Sequence, residues 1–128
     1  MMTEGLRWII SAMGVGRIAI GLAPFLAARP TSRALGFPQS HDTPTARLMA
    51  RLFGVRDVGL GALAFYAVAH PEAASFLLLF NASMDGGDLL STAIPLAKRQ
   101  GIDRGALTSA AFALTGGICW LVVWSLTK

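Results

Sequence analysis

The chain of 128 residues is 54% apolar and only 14% charged, with a mean hydropathy of +0.57 and a formal net charge of +4. Soluble domains carry about 25% charged residues, so this composition excludes an ordinary soluble domain and indicates one membrane domain spanning residues 1–128. The basic residues flank apolar runs, which is typical of membrane orientation and argues against nucleic acid as a partner.

Four apolar segments are long enough to cross a hydrocarbon core, which needs about 20 helical residues. In chain order they are residues 6–28, 48–69, 74–97 and 105–126. The first connection, rich in Pro, Ser and Thr, is the only substantial loop, and Asp42-Thr43-Pro44 near its end predicts a helix that begins near Pro44. The minimal turn at 70–73 predicts a tight helical hairpin. The predicted fold is all-α, an antiparallel up-down four-helix transmembrane bundle.

Lysine and arginine concentrate in the predicted loops 29–47 and 98–104, whereas the turn at 70–73 has neither. The positive-inside rule therefore places both basic loops in the cytoplasm and both termini outside. This predicts a multi-pass protein of the cell (inner) membrane, with the lipid bilayer as its first partner.

Two groups of side chains fit the membrane interfaces. Four basic residues are candidates for binding anionic lipid head groups, with membrane orientation as the simpler alternative: Arg29, Arg33, Arg47 and Arg51. Three tryptophans fit an aromatic belt on the outer side: Trp8, Trp120 and Trp124.

Charged residues also lie inside the predicted spans, at similar depths. At 1.5 Å per residue from the cytoplasmic helix ends, Arg17 lies ~16 Å deep, Asp57 and Asp88 ~14 Å, and Asp85 ~18 Å. Each such charge costs roughly 2.5–3.5 kcal/mol near the midplane. Pairing across helices is the expected compensation.

Helical spacing puts these charges on interior faces. Asn81, Asp85, Asp88 and Thr92 follow i, i+4, i+7, i+11 and form one polar stripe on the third predicted helix. Glycines beside the charges of the first and second helices would let neighbouring helices approach closely. We therefore predict salt bridges that join Arg17 and Arg56 to three aspartates, namely Asp57, Asp85 and Asp88.

This predicted cluster has two interpretations of equal weight. Two arginines against three aspartates leave one carboxylate unmatched, which suggests a proton, cation or ligand site that includes Asn81. Alternatively, the ion pairs only fix helix packing.

No cofactor or metal site is predicted. The N-x-x-x-D-x-x-D spacing in the third predicted helix is similar to a diphosphate–Mg²⁺ motif, but the neighbouring arginines would compete with a metal ion. His41 and His70 fall on opposite sides of the predicted topology and cannot share a metal ion. The chain also lacks G-x-S-x-G, H-E-x-x-H and a phosphate loop.

Three stretches carry a family resemblance: R-I-A-I-G-L-A-P-F-L-A-A-R-P at 17–30, R-L-F-G-V-R-D-V-G-L-G at 51–61, and M-D-G-G-D at 84–88. They resemble an uncharacterised family of small bacterial, mainly actinobacterial, four-helix membrane proteins. The resemblance implies the bundle and the importance of Arg51 and the five interior charges, but no reaction. In plan alone the chain is similar to DoxX-like proteins and to small multidrug exporters. The exporters carry a membrane glutamate where this chain has Arg17.

Three hypotheses follow. The first is an accessory or structural membrane protein, acting with copies of itself or within a larger complex, and not an enzyme. The second is a proton- or cation-coupled transporter unit. The third is a membrane enzyme that acts on a lipophilic small molecule with an Asp–Arg pair as acid and base. A pocket that opens sideways to lipid beside Asp85 would favour the third.

Overall fold

The computed structural model describes residues 2–128, which form five α-helices and one short 3-10 helix. The helices are α1 (Glu4–Leu26), α2 (Ala28–Leu35), the 3-10 turn Gln39–His41, α3 (Pro44–Ala69), α4 (Pro71–Ala97) and α5 (Asp103–Leu126). The four long helices match the four predicted segments, with ends that differ by a few residues.

The predicted start of the second long helix is confirmed, since α3 begins at Pro44. Thr43 caps it by accepting a hydrogen bond from the Ala46 backbone N–H at 3.1 Å. The predicted hairpin is tighter than expected because His70 alone separates α3 from α4. A residue before proline avoids the helical region, and His70 before Pro71 has φ −126° and ψ 79°.

The connection at 29–47 was predicted as a loop, but its first part, to Leu35, belongs to the short helix α2. The proline ring of Pro30 excludes the carbonyl four residues earlier from a continuous helix, and that residue, Leu26, is the last of α1. The chain therefore breaks at Ala27 and restarts as α2, with Pro30 in its first turn. Gly36, with φ 92°, ends α2 in the left-handed conformation that glycine adopts without strain.

Three helices, α1, α3 and α5, are long and apolar enough to cross a membrane. Helix α4 is also long enough, with 27 residues, but it does not reach the mean hydropathy expected of a membrane span, because its interior stripe carries Asn81, Asp85 and Asp88. The outer faces of the long helices expose large apolar side chains, including Leu26, at 75% exposure. Such a surface fits lipid and would be unfavourable in water.

Paired glycines bring α1 and α3 into close contact. A Cβ at Gly21 would lie 2.5 Å from the Gly54 carbonyl oxygen, and one at Gly14 would lie 3.1 Å from that of Gly61. The first distance is too short for a real Cβ contact and the second is unusually tight, so the two backbones approach closely at both positions. The register shows that α1 and α3 run antiparallel, and the predicted role of these glycines in close packing is confirmed.

The packed core lies at the end of the molecule that contains His70. All four long helices contribute to it, through Leu6, Ile10, Ala64, Leu78, Trp120 and Val123. Trp124 of α5 donates from Nε1 to the Ser75 hydroxyl of α4 at 2.9 Å, which ties these two helices together near the same end. The interior charges lie between this core and the opposite end of the molecule.

Candidate functional site

Arg17 reaches across the interior from α1 to Asp85 of α4. Its two terminal nitrogens each lie 2.9 Å from one carboxylate oxygen of Asp85, a two-pronged ion pair in which one of the nitrogens donates a hydrogen bond. Both side chains are buried, with 6% and 9% exposure. The side chain of Arg17 lies on the same buried face of α1 as Gly14, Gly21 and Pro24, as the helical spacing predicts.

Asp57 of α3 connects this pair to a second one. Its Oδ1 atom lies 3.6 Å from the Arg17 guanidinium and 3.1 Å from that of Arg56. The side chain is 5% exposed, so its charge is met by arginines and not by solvent. Asp57 is therefore shared between the two arginines.

Arg56 and Asp88 form the second two-pronged pair, between α3 and α4. Their nitrogen–oxygen distances are 2.7 and 2.6 Å. The Arg56 guanidinium also lies over the Phe53 ring, 4.6 Å from its centroid, which adds a cation–π contact. This pair is more accessible than the first, since Arg56 and Asp88 side chains are 30% and 26% exposed.

We call these five residues the ionic cluster: Arg17, Arg56, Asp57, Asp85 and Asp88. The predicted salt bridges of Arg17 and Arg56 with the three aspartates are all present. The cluster links α1, α3 and α4 at one level, and two cations face three carboxylates. The space beside the cluster bears on whether the cluster also binds a ligand.

A cavity of about 660 Å³ lies directly beside the cluster and extends toward the end of the molecule opposite His70, with the core residue Trp120 in its wall. Four cluster residues line it: Arg17, Asp57, Asp85 and Asp88. The remaining wall is mostly apolar, with Ile20, Pro24, Met49, Phe53, Phe112 and Trp120 among its residues. Ligand pockets in proteins have this size and this mixture of apolar wall and few polar groups.

The cavity opens sideways between α1 and α5. These two helices scarcely touch, whereas α1 packs along α3 and α5 packs along α4. Gly16 and Ile20 on the α1 side, and Phe112 and Cys119 on the α5 side, line the cavity and are also exposed on the outer surface. In a membrane this gap would face lipid.

The segment from Ala28 to Asp42, which we call the cap, closes the cavity at the end opposite His70. Phe37 packs so closely on α5 that a Cβ at Gly105 would lie 2.5 Å from its ring. Asp42 binds Arg29 of α2 and lies 3.0 Å from Arg47 of α3. The cap is therefore fastened to both α5 and α3 at the end of the cavity that it closes.

Four buried polar atoms in or beside the cluster lack hydrogen-bond partners among residues 2–128. Three are arginine nitrogens, namely Nε and one terminal nitrogen of Arg17 and Nε of Arg56, and Arg17 lines the cavity. The fourth is Oδ1 of Asn81, a fully buried side chain whose Nδ2 donates to the carbonyls of Leu60 at 3.4 Å and Leu77 at 3.2 Å. Asn81 lies on the predicted interior stripe, but it does not line the cavity.

The four basic residues predicted to bind lipid head groups have different surroundings. Arg29 and Arg47 are held by Asp42, so both help to fasten the cap. Arg33 lies beside the Gln39 side chain, and Arg51 is exposed on α3. Binding of lipid head groups by these residues stays a prediction.

Sequence reasoning missed several residues of the cavity wall. Trp120 was assigned to an outer interfacial belt, but it is 2% exposed and lines the cavity. Phe37 and His41 come from the segment interpreted as a loop, and Cys119 carried no signal beyond being the single cysteine. Trp8, by contrast, is 70% exposed, as an interfacial residue would be.

A family described as a domain of unknown function (DUF4267) has a model that matches residues 14–127. The matched range contains the whole ionic cluster, the cap and every residue of the cavity wall except Met13. It agrees with the resemblance to an uncharacterised family noted from the sequence. No curated protein and no solved structure matches the chain.

Proposed function

The chain belongs to the DUF4267 family, and we propose that it is a small four-helix membrane protein that binds a lipophilic small molecule in its interior cavity. One observation carries this proposal. Four residues of the ionic cluster border a cavity of about 660 Å³ that has apolar walls and a gap toward the outer surface. An ion-pair network that served only to fix helix packing would need no such space beside it.

The membrane arrangement is part of the proposal. Helix α4 is joined to α3 through one residue and packs along α5, both of which are long and apolar enough to cross. A chain that crosses along α3 must return along α4 before α5 can cross again. The charges of α4 would be tolerated because Arg17 and Arg56 bind them inside the bundle, away from lipid.

We further place the protein in a bacterial inner membrane, with the cap and residues 98–102 in the cytoplasm and both termini outside. The concentration of lysine and arginine on this side supports the orientation. The apolar outer face of the helices is then in contact with the lipid bilayer. Association with a second copy, or with a larger membrane complex, would use the same exposed apolar surface.

A second candidate function is catalysis on the bound molecule. Asp85 and Asp88 both border the cavity and each is paired with an arginine, an arrangement that could exchange a proton with a substrate. The sideways gap beside Asp85 favours this reading over a purely accessory role. A role as a proton- or cation-coupled transporter unit is supported only by the excess of one carboxylate over the two arginines of the cluster.

The test is a binding titration with N-phenyl-1-naphthylamine, an uncharged probe that fluoresces in apolar sites. Gly16→Phe would fill the gap, because Gly16 lines the cavity and a Cβ there meets no atom within 4 Å. Gly59→Phe is the matched control, since Gly59 is equally open but lies outside the cavity wall. Cys119→Phe blocks the opposite side of the gap and replaces the first variant if that variant does not fold.

The purified full chain in an uncharged detergent should bind the probe saturably, with about one site per chain. The Gly59→Phe protein should bind it equally well, and the gap-blocking variant should bind at least about tenfold more weakly. Non-saturable binding by the unmodified chain, or equal binding by a folded gap-blocking variant, would show that the cavity is not the binding site.

A further inference from the structure

We propose that the cavity selects a lipophilic amine, whose protonated nitrogen lies against Asp88 and Asp85 and whose apolar body fills the rest of the space. This inference rests on the proposed function, because it names the chemistry of the molecule that the cavity would bind.

The charge that the cavity presents favours a cationic occupant. Its wall contains one arginine and three aspartates of the ionic cluster, whereas Arg56 lies outside the wall. The whole cluster, with two arginines and three aspartates, carries a formal charge of −1. In a site of low polarity an occupant of opposite charge is strongly favoured over one of like charge.

Asp88 has hydrogen-bonding capacity that its pairing with Arg56 does not use. An ionised carboxylate can accept about four hydrogen bonds, and each oxygen of Asp88 accepts one from Arg56. Its side chain is 26% exposed and lines the cavity, which makes it the most accessible carboxylate of the cluster. An ammonium group, which only donates, matches this remaining capacity.

The position of Arg17 disfavours an anionic occupant. An anionic head group would need an arginine, but both terminal nitrogens of Arg17 face Asp85, and Asp57 lies 3.6 Å from the same guanidinium. An anion bound there would be repelled by two carboxylates. Nε and one terminal nitrogen of Arg17 make no hydrogen bond, and as donors they would be satisfied by an acceptor atom elsewhere in the occupant, such as an ether or hydroxyl oxygen.

The rest of the wall fits the apolar body of such a molecule. Phe53, Phe112 and Ile20 offer apolar and aromatic surface next to the carboxylates. A cavity of about 660 Å³ is within the range that encloses drug-sized molecules. A small metal cation or a proton would leave this apolar space empty, whereas a lipophilic amine uses both parts of the site.

The test compares three dansyl-labelled undecyl amphiphiles that end in an amine, a hydroxyl or a carboxylate. Each is titrated at neutral pH into the full chain in an uncharged detergent. The amine should bind about tenfold more tightly than the hydroxyl compound, and the carboxylate compound should bind most weakly. Asp88→Asn should remove the preference for the amine and leave the hydroxyl compound unaffected. Glu4→Gln is the control, because it makes the same change in net charge at an exposed position far from the cavity.

A second variant keeps the inference testable if Asp88→Asn does not fold. Thr92 lines the cavity one helical turn from Asp88, so Thr92→Lys would place a competing cation beside the carboxylate and should also remove the preference.

The outcomes separate the two proposals. If none of the three compounds binds saturably, the proposed function fails. If the hydroxyl compound binds saturably but the amine is no tighter, or if the carboxylate compound is tightest, the cavity binds lipophiles and the selection of amines is wrong. A preference for the amine that persists in a folded Asp88→Asn protein would also overturn the inference.

Discussion

Replacing Arg17 with methionine removes the cation that holds Asp85 and partly neutralises Asp57. Methionine keeps an unbranched side chain of similar reach, so the change deletes charge and hydrogen bonds with little loss of volume. The glycine contacts between α1 and α3 are left in place. The variant therefore isolates the contribution of the ionic cluster to folding.

Two measured ranges bracket the expected loss. Hydrogen bonds between membrane helices average about 0.6 kcal/mol, with a maximum near 1.7, whereas removing one partner of a buried ion pair costs about 3–5 kcal/mol. Arg17 makes two contacts of 2.9 Å and one of 3.6 Å, and its side chain is only 6% exposed. The second range applies because a carboxylate would be left without its cation. We expect a loss of about 3 kcal/mol in the free energy of unfolding.

The assay is reversible unfolding by sodium dodecyl sulfate in mixed micelles, followed by far-UV circular dichroism. Arg56→Met should cost less than Arg17→Met, since the Arg56 side chain is 30% exposed and solvent screens its pair. Arg7→Met is the control for the loss of one positive charge at an exposed position. Asp85→Asn combined with Arg17→Met completes a double-mutant cycle, in which the double variant should be more stable than the two single losses imply, by about 1–3 kcal/mol.

Two results would refute this reasoning. One is an Arg17→Met protein as stable as the Arg7→Met control. The other is a double variant whose loss equals the sum of the single losses, because the two side chains would then contribute independently.

Two further predictions concern the packing of the helices. Gly21→Ala should lower the free energy of unfolding by about 1–3 kcal/mol, because the new methyl group meets the Gly54 backbone, whereas Gly16→Ala, which meets nothing, should not; comparable loss in both would disprove the close contact. Asn81→Leu should leave stability unchanged or raise it, because the Oδ1 atom of Asn81 is buried without a partner and the amide makes only long hydrogen bonds. A loss above about 2 kcal/mol in the same unfolding assay would mean that this amide is fully satisfied.

The sequence predicts the ionic cluster because depth and helical spacing are properties of single helices. Residues at one depth and on interior faces have few other partners in a membrane, so the two arginines could be joined to the three aspartates as a group without knowing the packing. The paired glycines could be anticipated for the same reason. The buried face of α1 follows directly from a period of 3.6 residues.

The cavity could not be predicted, because it depends on how far the helices separate beyond the cluster. Trp120 shows the difficulty. Its position near the end of α5 suggested a membrane interface, but its side chain lies on the inward-facing side of that helix. The cap was missed because α2 is short and rich in Pro, Ser and Thr. Asp42 fastens the cap by pairing with both Arg29 and Arg47, and these three residues come together only in the folded cap.

The most direct test of the central claim uses Cys119, the single cysteine, which lines the cavity beside the gap. The rate of its alkylation by N-ethylmaleimide is measured with and without saturating N-phenyl-1-naphthylamine. If the probe occupies the cavity, it should slow alkylation several-fold in the unmodified chain and in Gly59→Phe, but not in Gly16→Phe. An alkylation rate that the probe leaves unchanged in the unmodified chain would contradict the account.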